Sequence, residues 1–76
     1  MFNPFQLRAG DTALVQVDER QVAFEVVRRG KTYLSPIWLR PVFKSDYPGD
    51  LVFDSRSNVS AIVAGARRIN GDWQPL

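Results

Sequence analysis

"SNVSAIVAGARRINGDW", residues 57 to 73, decides the fold, because it satisfies two incompatible periodicities. Val59, Ile62, Val63, Ala66 and Ile69 recur three or four positions apart, the spacing of one helix face. Ser57 or Asn58 would cap the first turn, Arg67 and Arg68 would suit the last, and Gly71 would close the helix. Two features oppose this. Gly65 inside a helix costs about 1 kcal/mol relative to alanine. Asn70-Gly71 is also the strongest short hairpin signal, with Asp72-Trp73-Gln74 as its returning strand.

The helix over 57–69 is the expectation taken here. It makes the fold α+β or mainly β: a small curled antiparallel sheet of three to four strands with one C-terminal helix packed over it. The hairpin reading gives a small SH3-like or OB-like β-barrel instead.

Working upstream, "TALVQV" (12–17) and "QVAFEVVR" (21–28) are rich in β-branched residues, and "DER" between them is a short polar connection. The pair reads as a hairpin. A second turn at "RRGK" uses Gly30, and the chain leaves through "KTYLSPIWLRPVF". Pro36 and Pro41 cannot donate to a ladder, which makes that strand an edge or bends it. Residues 12–43 are thus expected to form a β-meander, preceded by an arm over 1–10 that tucks Phe2 and Phe5 onto the core. A loop over 44–50 follows, and "LVF" (51–53) offers a short fourth strand.

A chain of 76 residues is expected to form one domain. It has neither cysteine nor histidine, so disulfides and imidazole ligands are absent and only packing or association can stabilise it. The same inventory excludes cysteine nucleophiles and serine–histidine pairs, and leaves zinc without its usual ligands. Asp46, Asp50 and Asp54 recur every fourth residue, but not at the alternate positions of a calcium loop, and no glutamate closes the set. No cofactor or metal is expected, and no enzyme activity.

Net charge is +2, with seven cations and four anions up to Lys44 and three arginines against four aspartates after it. That imbalance is too small to indicate nucleic acid by itself. No apolar run reaches the roughly 18 residues that span a bilayer, so no membrane partner is expected. The expected setting is cytoplasmic, or the host cytoplasm or virion for a phage-encoded chain.

What remains is adhesion. Arg, Tyr and Trp are the residues most enriched at interface hot spots, and nine aromatics are many for so small a core. Arg28, Arg29, Tyr33, Trp38, Arg40 and Tyr47 are the expected protein-binding residues. The function they imply is that of a non-enzymatic binding protein: an accessory subunit, an inhibitor, or a structural component of a larger assembly such as a phage particle. Its partner is another protein or a second copy of itself. The alternative is a nucleic-acid-binding β module using the surface 28–47, with Arg28, Arg29, Lys31 and Lys44 on phosphates.

Overall fold

The computed structural model describes residues 2–30, 36–54 and 56–76. Six strands, β1 (Thr12–Val17), β2 (Arg20–Arg29), β3 (Ile37–Pro41), β4 (Leu51–Phe53), β5 (Ile62–Ile69) and β6 (Asp72–Pro75), form one antiparallel sheet in the order β4-β3-β2-β1-β5-β6. The chain is mainly β. The expected hairpin is β1–β2, in register from Thr12 opposite Glu25 to Val17 opposite Arg20, and closed by Asp18-Glu19. Asp18 sits at φ 54°, a left-handed conformation that aspartate tolerates better than most residues.

The expected C-terminal helix is a strand. Asn58 does cap, its Oδ1 accepting the Ser60 N–H at 3.2 Å, but the turn it starts is a single 3-10 turn over Val59–Ala61. From Ile62 onward the backbone is extended and pairs with the second edge of β1, whose N–H and C=O groups would otherwise stay unpaired. Asn70 and Gly71 adopt φ 52° and 86°, two consecutive positive values that turn β5 directly into β6. The strand count is therefore six, not three to four. Nor is the sheet a closed barrel: β4 and β6 are its two edges, and both are short.

Alternation sorts the side chains. Ala13 and Val15 of β1, Val22, Phe24 and Val26 of β2, Ile37 and Leu39 of β3, and Ile62 of β5 are buried on one face. Phe24 is 0 % exposed and is met edge-on by Tyr47 at 5.5 Å between ring centroids. Tyr47 comes from the β3–β4 connection, so that loop covers the core where a helix was expected.

The N-terminal arm covers it from the other end. A 3-10 turn over Pro4–Gln6 is capped by Asn3, whose Oδ1 accepts the Phe5 N–H at 3.0 Å. Leu7 is buried and Phe2 packs on the core, whereas Phe5 stays at the surface beneath the Arg29 guanidinium. Gly65 makes this docking possible. A Cβ there would lie 2.8 Å from Phe2 Cζ, closer than real contacts come, and 3.0 Å from Leu7 Cδ2, tighter than most. The other end of the chain uses the same residue, the Leu76 N–H donating to the Gly65 carbonyl at 2.9 Å.

Candidate binding surface

A bulge in β2 creates the candidate site. Val22, Phe24 and Val26 face inward, and strict alternation would turn Arg28 inward too. The register with β3 shifts between Val26 and Arg28, which inserts Val27 as the extra residue and sets Arg28 opposite Trp38. Ile37 and Leu39 point into the core, so Trp38 and its cross-strand neighbours Arg28 and Val52 share the outer face.

Trp38 is 39 % exposed, and its indole is held in place: Nε1 donates to Asp50 Oδ2 at 2.8 Å. Val52 beside it is 53 % exposed. Arg28, Arg29, Gly30, Pro36, Trp38 and Val52 line an open depression of about 500 Å³. Its lining is mainly apolar and includes two arginines, which suits an apolar side chain flanked by acidic groups. Arg40 continues the outer face toward the far end of β3, opposite Glu25.

The expected binding residues are thus only partly brought together. Arg28, Trp38 and Arg40 share one face. Arg29 is opposite the inward-facing Ile37 and turns to the arm, its Nη2 donating to the Phe5 carbonyl at 2.8 Å, though it also lines the depression. Tyr47 packs on Phe24 and belongs to the core side of the sheet. Lys44 follows β3 at the end opposite Arg28 and Arg29, so these three cations do not form one track. Tyr33 and Lys31 lie outside the described residues.

Two participants escaped the sequence reading. Val52 stood only within a short candidate fourth strand, and Asp50 as one of three spaced aspartates. Asp50 instead fixes Trp38, while Asp54 accepts the Arg56 N–H at 2.8 Å and the Ser57 hydroxyl at 3.2 Å to form a turn. The Arg56 N–H in particular holds the Asp54 carboxyl below its ordinary pKa. Among the described residues no three acidic or imidazole groups gather as metal ligands. The second tryptophan, Trp73, sits opposite Arg68 on the β6 edge and is 50 % exposed. Comparison with protein-family models, curated proteins and solved structures finds no match to this chain.

Proposed function

We propose that the chain is a non-catalytic binding protein that uses the outer face around Trp38 to grip another protein. The observation that supports this best is the preset indole: an exposed tryptophan, oriented by Asp50, between an exposed valine and an arginine. Large rigid aromatics beside arginine are the commonest hot-spot pattern, and an anchor already held in place loses little entropy on docking. A folded domain has little intrinsic reason to leave Trp38 and Val52 side by side in water. An accessory subunit, an inhibitor or a component of a larger particle would all act this way, by occupying a surface.

The test is a photo-crosslinker at position 52, applied in extract of the source organism, with Trp38→Ala and Arg28→Ala as comparisons. A specific protein should be captured, and its affinity should fall about 30-fold or more, roughly 2 kcal/mol, on Trp38→Ala. Light scattering of the pure chain covers self-association. Full binding by both folded variants removes this face from consideration. A steep loss of binding between about 50 and 200 mM salt would assign it to nucleic acid instead.

A further inference from the structure

At the end of the sheet where β2 finishes, the N-terminal arm runs between arginines. Arg8 from the arm, Arg29 from β2 and Arg67 from β5 line one open, mainly polar depression of about 470 Å³. A second, of about 290 Å³, shares Arg8 and Arg67 and adds Arg68 and Asp11. Asp11 is the sole carboxylate lining either, among the described residues, and it is already committed. Its Oδ1 accepts Arg67 Nε at 3.0 Å, and its Oδ2 accepts Arg67 Nη2 and the Arg8 N–H, both at 2.8 Å. The pair cancels one positive charge. Arg8 and Arg68 have no further acid in the same walls to offset them, among the described residues.

The arginines divide by duty. Arg67 Nη2 also donates to the Gln6 carbonyl at 3.0 Å, and Arg29 to that of Phe5 at 2.8 Å, so both hold the arm. Arg8 holds nothing. Its exposed guanidinium makes no hydrogen bond or ion pair among the described residues, and Arg67 Nη1 likewise keeps its donors. Structure alone accounts for Arg29 and Arg67 but gives Arg8 no work, although it forms the wall shared by both depressions.

We infer that this arginine-lined end binds phosphate groups. Guanidinium forks pair with phosphate oxygens two at a time, and a multiply charged phosphate can engage several forks where a single carboxylate cannot. The mainly polar lining of the larger depression favours a charged ligand over one held by apolar contact. The same chemistry fits a free polyphosphate-bearing small molecule and the backbone of a nucleic acid, and the experiment separates them. Arg29 and Gly30 border the Trp38 depression as well, but Arg8 lines only this end and neither Trp38 nor Val52 lines it, so a test at Arg8 is separate from one at Trp38.

The full chain is titrated calorimetrically with inorganic triphosphate and, separately, with a single-stranded oligonucleotide, at low and physiological salt. Arg8→Gln is compared with Arg56→Gln, which removes the same charge elsewhere, and thermal unfolding is followed for each. Triphosphate should bind the parent chain and weaken with salt. Arg8→Gln should weaken it about tenfold or more with Tm unchanged, while Arg56→Gln should not. An oligonucleotide bound no tighter than triphosphate identifies the small-molecule source. One bound far tighter, with a salt slope falling by about one on Arg8→Gln, identifies the polynucleotide. Absence of binding to both probes at low salt, or equal weakening by the two variants, would overturn the inference.

Discussion

Arg67 reaches Asp11 across 56 positions of sequence and grips both of its carboxylate oxygens, Nε to Oδ1 at 3.0 Å and Nη2 to Oδ2 at 2.8 Å. Asp11 is 3 % exposed, the one buried charged side chain in the described residues. Its backbone carbonyl also accepts the Val26 N–H at 2.8 Å. One residue therefore ties the arm, β2 and β5 together. Asp11→Ala would strip three donors of their acceptor and should destabilise by about 2 kcal/mol in urea unfolding. Arg67→Lys should not preserve the parent stability, because an ammonium cannot reproduce the two-pronged bond. A loss below about 0.5 kcal/mol for Asp11→Ala would show that the tie is dispensable.

The same pair fixes a sign for pH dependence. Donating to the Asp11 carboxylate raises the Arg67 pKa above its already high ordinary value. A raised pKa stabilises the fold below the unfolded value and is lost only as pH climbs through the folded one. This group therefore adds no pH dependence near neutrality. Asp54 behaves oppositely, since its pKa is lowered, chiefly by the Arg56 N–H. Its contribution is present above the usual aspartate range and fades as pH falls through the depressed value. In an NMR titration Asp54 should show a midpoint below that of an unbonded aspartate, and Ser57→Ala should move it upward. A midpoint in the ordinary range would mean that the turn is not formed in solution.

Gly65→Ala tests the docking of the arm. The new methyl group would overlap Phe2 and press on Leu7. Overpacking of this kind typically costs about 1–3 kcal/mol, and Phe2→Ala should relieve part of it. The double variant should thus be more stable than the sum of the two single losses implies. Strict additivity would mean that Phe2 does not sit against Gly65.

Both tryptophans should report water. Trp38 and Trp73 are 39 % and 50 % exposed, so emission should resemble free indole and iodide should quench it readily. Trp73→Phe should change stability by no more than about 0.5 kcal/mol. Blue-shifted, protected emission from both residues would bury the proposed anchor and with it the binding face.

The sequence made β1 and β2 legible, because alternation and turn residues agreed there. The proline-marked third strand is a strand but not the expected edge, since β4 pairs along its outer side, and the turn at "RRGK" runs outside the described residues. It was misleading over residues 59–69, where Val59, Ile62, Val63, Ala66 and Ile69 match a helix face by coincidence, and only Ile62 is buried. Asn70-Gly71 carried the correct signal, but its weight depended on β1 having an edge to fill, a long-range fact. The site was legible in part. Trp38 and Arg28 were visible as residue types, yet only the bulge at Val27 puts them on one face. Asp50 and Val52 join them through pairing of β3 with β4, which no local pattern records.

Phe2 and Leu76 both rest on Gly65, one through its ring and the other through its amide. Residues 2 and 76, remote in sequence, therefore converge on one link of β5. Whatever loosens one of these two contacts should be felt at the other, because both bear on the same residue.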